Sequence, residues 1–147
     1  NNRILKKKFI FEYCTTSRKN VLRGFHLQTK FKQSKYVNVV KGKILDVVID
    51  LRRKSKTFGK VFKIILSKKN ALGLYIPAGF AHAYYSYDKE NIIYYKLDNY
   101  YAPKYESGIV YNDPVIKIKW PKKKFLVSKK DKKLLTFKEF CNRFKGI

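Results

Sequence analysis

Across residues 36–97 apolar and polar positions alternate with a period of two, in short runs rich in β-branched and aromatic side chains. That alternation puts successive side chains on opposite faces of an extended chain, and it predicts strands over 36–40, 44–51, 61–66, 72–77, 81–85 and 92–97. The breaks between them, at 41–43, 54–59, 67–70, 78–79 and 88–91, carry the Gly, Asn, Asp and Ser that turns require. Many short, evenly spaced strands point to an all-β sandwich or barrel. The period changes only near the end. There Leu134, Leu135, Phe137, Phe140, Cys141 and Phe144 share one face of a short helix, with Thr136 as N-cap and Glu139 at the third helical position. No internal repeat or flexible linker divides the chain, so residues 1–147 are expected to form one domain.

Composition fits that reading and narrows it. The chain has 147 residues, 45% of them apolar and 16% aromatic, enough for a core of its own. No stretch reaches the run of about 18 apolar residues that a membrane span needs. Lys6, Lys7 and Lys8 are followed by no long apolar run, so no secretory signal is expected and the address is read as cytoplasmic. Methionine is absent even at position 1, and the natural start is expected to lie upstream. Cys14 and Cys141 are too few and too distant for a disulfide framework and read as packing residues of a reducing compartment.

The formal charge of +25 raises the question of nucleic acid. Only six of the 35 basic residues are Arg, however, and the guanidinium fork is what base-edge readout favours. The Lys are spread along the whole chain, and with abundant Tyr, Ile and Asn they read as a bias of base composition. Nucleic acid is therefore not the expected partner. The field still attracts a small polyanion such as a diphosphate.

Both histidines lie in glycine-containing strand edges, His26 in Arg-Gly-Phe-His and His82 in Pro-Ala-Gly-Phe-Ala-His. The second spacing is similar to the Pro-x-Gly-x-x-His of cupins, small double-stranded β-helix barrels in which that His points inward. Cupins that hold a metal offer His-x-His and a following Glu. Here the same place reads His26, Leu27, Gln28, with no carboxylate until Asp46, so neither a metal nor another cofactor is expected. What remains is acid–base chemistry by side chains. Removing a proton beside a carbonyl needs a base, a cation for the enolate and an acid. His26 can be the base, Lys35 the cation, and a tyrosine of the inward/outward pair Tyr94 and Tyr95 the acid. A carboxylate is still wanted to fix the imidazole tautomer, and Asp131 is one candidate among several.

The stretch VLRGFHLQ at 21–28 resembles the Val-Leu-Arg-Gly-Leu-His-Tyr-Gln signature of dTDP-4-dehydrorhamnose 3,5-epimerases. Four more blocks follow in order, KILDVVIDLRRKSKTFG (43–59), LYIPAGFAH (74–82), YKLDNYYAP (95–103) and NDPVIKIKWP (112–121), and the resemblance runs from about 17 to 131. It implies a cupin-type jelly roll, a homodimer and a nucleoside-diphosphate 4-keto sugar as substrate. It further implies that His26 takes the proton at C5 and C3 and that Tyr95 returns one from the opposite face. Lys35 would stabilise the enolate and Asp131 would orient His26, while Arg23, Gln28, His82, Glu106 and Lys130 would hold sugar and diphosphate and Tyr101 would stack on the base.

The departures fall upstream. The family's arm, with an Arg-Gly-aromatic stretch that crosses the dimer to the nucleotide, is expected to be missing, and the family's Gln-Asp-Asn-His-Ser strand reads Phe11-Glu12-Tyr13-Cys14-Thr15. These departures and the charge support a second function class, a non-catalytic jelly roll that binds nucleotide sugars or polyanions. Generic DNA or RNA that outcompetes a nucleoside diphosphate at physiological salt would mark that class.

Overall fold

The structure is a computed structural model that describes residues 7–147; the reading of residues 1–6 lies outside them. Nine strands are present among the described residues: β1 (Phe11–Arg18), β2 (Leu22–Gln28), β3 (Lys35–Lys41), β4 (Lys43–Asp50), β5 (Val61–Ser67), β6 (Gly73–Ile76), β7 (Phe80–Ser86), β8 (Glu90–Leu97) and β9 (Glu106–Gly108). They form two antiparallel sheets, ordered β1-β8-β3-β6 and β5-β4-β7-β2-β9. The all-β jelly-roll expectation holds. All six strands predicted from alternation are present within two residues of their expected ends.

The two sheets face one another across a core of Val37, Val39, Ile44, Val48, Leu66, Ile93 and their neighbours. The five-stranded sheet is also covered on its outer face, where Phe25, Leu27, Val47, Ile49 and Ala83 pack under Ile116, Trp120, Leu135, Phe140 and Phe144 from the last third of the chain. Cover on both sides explains β4, whose last five residues are all buried, and why its sequence is a nearly continuous apolar run.

The C-terminal helix α1 (Phe137–Phe144) starts where Thr136 caps it, with Thr136 and Glu139 forming a reciprocal capping box. Leu134 and Leu135, expected on the helix, precede it. Leu135 pairs with Ile109 in an isolated bridge, because the capping box fixes the start of the helix two residues later. The buried Asp113 secures this layer by accepting from the backbone N–H of Val115, Ile116 and Phe137. Cys14 also differs from expectation. It is exposed on β1, facing away from the sandwich, because its neighbours Tyr13 and Thr15 take the inward positions; both cysteines are free thiols.

Candidate active site

The site forms where the sandwich opens at one end. Inward positions of the four-stranded sheet form rows across it, Phe11–Leu97–Lys35 outermost and Tyr13–Tyr95–Val37 one step deeper. Opposite them stand His26 and Gln28 of β2 and Glu106 of β9. Phe11, Tyr13, Lys35 and Leu97 with His26, Gln28 and Glu106 line a cleft of about 370 Å³, and a recess of about 140 Å³ shares Tyr13, His26 and Lys35 with it and is also lined by Thr15, Arg23, His82, Tyr84 and Tyr95.

A local irregularity in β2 brings the signature residues to one side. Arg23 pairs with Tyr84 but His26 pairs with His82, so the register gains one residue between them. In an unbroken strand Arg23 and His26, three apart, would point to opposite faces; the extra residue puts both into the recess. The extra residue needs a glycine. Gly24 has φ of +110°, and a Cβ there would lie 2.4 Å from the carbonyl oxygen of His82. On the other side of His26, Gly108 approaches so closely that a Cβ would lie 1.7 Å from the carbonyl oxygen of Phe25.

The imidazole of His26 is held from behind. Its Nε2 lies 2.8 Å from Asp131 Oδ1, and the other oxygen of Asp131 accepts from the backbone N–H of Gly24 at 3.1 Å. Asp131 opens a 3₁₀ turn, Asp131–Lys133, whose approach is fixed by the hydrogen bond from its own N–H to Ser128 Oγ. Burial pushes the Asp131 carboxyl up, but the hydrogen bond and charge of His26, helped by Gly24 and Ser128, outweigh it and hold the group below the usual carboxylate value. An ionised carboxylate can only accept, so Nε2 carries a proton, and in the neutral imidazole the lone pair is then on Nδ1. Nδ1 lies 3.9 Å from Glu106 Oε1, on the cleft side.

Glu106 gathers the mouth of the cleft. Its Oε2 accepts from Tyr101 Oη at 2.7 Å and from Lys130 Nζ. Burial raises its carboxyl, and Lys130, Tyr101 and His26 together outweigh that and lower it. Lys35 points into the cleft, where burial lowers its ammonium to about 8 against the opposing pull of Glu106 and Asp46. Tyr95 is buried, and burial, reinforced by Tyr84, Tyr13 and Asp46, raises its phenol well above 10. It therefore stays a neutral O–H donor throughout the physiological range. Its ring stacks on Tyr13 at 4.9 Å between centroids, with the planes 12° apart. His82 is buried beneath them, its Nε2 2.8 Å from Asp46 Oδ2, while Asp46 Oδ1 has no hydrogen-bond partner.

The family described as dTDP-4-dehydrorhamnose 3,5-epimerase matches residues 1–139 of this chain. The chain belongs to this family. The enzyme of that name from Methanothermobacter thermautotrophicus is 39% identical over 131 residues, 87% of this chain and 71% of that protein. The one from Escherichia coli K12 is 40% identical over 133 residues, 89% and 72% of the two chains. Among solved structures, the dTDP-6-deoxy-D-glucose-3,5-epimerase of Legionella pneumophila, in complex with dTDP-4-keto-L-rhamnose, superimposes with a TM-score of 0.91 at 34% identity, over 97% of this chain and 78% of that one.

In this member of the dTDP-4-dehydrorhamnose 3,5-epimerase family, all ten residues singled out from sequence either line the two hollows or touch a residue that does. His26, Lys35, Gln28, Tyr101 and Glu106 line the cleft, and Arg23, His82 and Tyr95 the recess; Asp131 stands behind His26. The tenth, Lys130, reaches the site through Glu106. Gln28 is placed differently from the rest: its buried amide donates to Phe31 O and accepts from the Ala102 N–H, tying two loops of the mouth together. Tyr101 is half-exposed on the rim.

Sequence reasoning did not single out Asp46 or Tyr13. Asp46 had a signal, since a lone carboxylate inside an apolar strand needs a partner. Tyr13 had only its place in the altered strand. Among the described residues no group of three His, Cys, Asp or Glu side chains is arranged to hold a metal ion, and no helix is long and apolar enough to cross a membrane.

Proposed function

We propose that this protein inverts C3, C5 or both in a nucleoside-diphosphate 4-keto-6-deoxyhexose, of the dTDP-4-dehydro-6-deoxyglucose type, by proton transfer between its own side chains. The observation that carries the proposal is the His26–Asp131 pair opening onto the same hollows as Lys35 and Tyr95. His26 Nδ1 takes the proton next to the 4-keto group; the C–H bond breaks and its electron pair moves through the carbon to the carbonyl, leaving an enolate on O4. The Lys35 ammonium stands opposite that oxygen's charge, and the Asp131 carboxylate stabilises the imidazolium. The enolate then collapses, and its carbon takes the proton of the Tyr95 hydroxyl from the other face. Exchange with water resets both groups.

Family membership and the dTDP-4-keto-L-rhamnose bound to the Legionella relative support a nucleotide-sugar substrate. Arg23, Lys130 and the rim tyrosine Tyr101 are the groups we assign to its diphosphate and base. We read the protein as one jelly-roll unit that works as a homodimer in the cytoplasm, on the family resemblance.

Proton NMR of the 4-keto sugar in deuterium oxide tests the mechanism. Wild-type protein should wash deuterium into the inverted centres, His26→Ala should reduce washout by about a thousandfold or more, and Tyr95→Phe should keep washout while losing inversion. Unchanged washout in His26→Ala would remove His26 as the base.

A further inference from the structure

We propose that Tyr13 is a positioning residue for the reaction: its ring, stacked on Tyr95, fixes the direction from which the Tyr95 hydroxyl returns a proton. The proposal rests on the reading of Tyr95 as the acid. Tyr13 and Tyr95 are direct register partners of the β1–β8 ladder, so their side chains leave the sheet side by side on its inward face. The rings lie nearly parallel at 4.9 Å, and the imidazole of His82 meets Tyr95 edge-on at 6.1 Å and 66°. Tyr95 is thus held on one face by a flat ring and flanked by another. Tyr13 is braced in turn by Phe11 at 5.6 Å, which packs against Tyr100 at 6.2 Å. These aromatics line one wall from the exposed mouth at Tyr100 down to the buried His82.

Two further observations separate this from ordinary packing. Tyr13 lines both the cleft and the recess, so its ring borders the space where a substrate would sit as well as the acid itself. Burial pushes its phenol up to about 12, reinforced by Tyr84 and opposed by Arg23, so it brings no charge next to Tyr95.

The enolate has two possible proton sources, the imidazolium that formed it and the tyrosine on the other face. Return from His26 gives exchange without inversion; delivery from Tyr95 gives inversion. Loosening Tyr95 shifts that partition, so the ratio of deuterium washout to inversion is the diagnostic quantity.

Tyr13→Ala should raise that ratio by about ten- to a hundredfold, in line with the cost of misplacing a reacting group by an ångström. Tyr13→Phe, which keeps the ring and lacks the hydroxyl, should restore the wild-type ratio, and Tyr13→Leu, which keeps apolar bulk without the flat face, should behave like Tyr13→Ala. An unchanged ratio in Tyr13→Ala, or a Tyr13→Phe that matches Tyr13→Ala, overturns the proposal. A second arm needs no substrate. In protein with ring-labelled tyrosine, the Tyr95 ring should flip slowly in wild type and Tyr13→Phe and fast in Tyr13→Ala and Tyr13→Leu; equal flip rates in all four overturn the proposal. A wild-type protein that neither exchanges nor inverts any 4-keto sugar would instead sink the functional reading, and the ring-flip arm would still decide whether Tyr13 holds Tyr95.

Discussion

Lys35 holds a positive charge where burial opposes it, and two consequences follow at the scale of a single residue. Its ammonium titrates at about 8 instead of 10.5, so an enolate-stabilising charge at this position begins to disappear just above neutrality. kcat/KM, which reports groups of the free protein, should fall along an alkaline limb centred near pH 8. The sign for stability is opposite. Because the unfolded chain binds this proton more tightly, stability rises with pH between about 8 and 10.5, and the charged form is a cost below that range. Lys35→Met should therefore stabilise the fold by about 1–3 kcal/mol in urea titrations while lowering turnover by about a hundredfold or more. A destabilised Lys35→Met would show that Glu106 and Asp46 compensate the buried charge in full. The chemistry offered Lys35 as a cation for the enolate, and the family resemblance is what separated it from the other lysines. Asp131 was one carboxylate among several, because the contact that selects it joins residues 105 apart.

At the scale of elements, β2 decides whether a site exists. Gly24 supplies the extra residue that turns Arg23 and His26 to the same side, and its Cα lies against the backbone of β7. Gly24→Ala should cost about 2–4 kcal/mol in chemical denaturation, and the folded fraction should have lost most of its activity through displacement of His26. Full activity per folded molecule would mean that β2 can repair its register elsewhere. Among the strands found from sequence, β3 and β8 alternate because one face is buried, whereas β4 and β7 are buried on both faces and are marked by apolar runs between turns. β1, β2 and β9 lack that clean signal. β1 is a mostly exposed edge strand of polar residues, β2 is broken by its bulge, and β9 is three residues long. The capping box of α1 was readable because a cap depends on neighbours in sequence alone. The family block at 43–59 proves to be partly architectural: Asp50 accepts from Arg52, Ser55 and Thr57 to shape the loop after β4, and Arg52 lies over the ring of Phe80.

For the molecule as a whole the dominant physical fact is a net charge of +25. The cleft mouth carries Lys130, and Arg23 lines the recess behind it. A doubly charged nucleoside diphosphate should be drawn in by this field, so kcat/KM should fall severalfold between about 20 and 200 mM salt while kcat holds steady. A flat kcat/KM would mean that encounter does not depend on the field. The charge by itself does not mark a binding class; the cleft it surrounds does.

The strap that carries Asp131 gives the protein a built-in order of events. Both sheets are complete by residue 108, yet the base gains its partner only when a segment that leaves the last strand, crosses the outer face of the five-stranded sheet and passes the exposed Lys122 to Lys124 has come back to β2. The same segment brings the cover of the outer face, so the partner of the base and the second core arrive together. Turnover in this protein is therefore a direct reporter of whether the final third of the chain has docked.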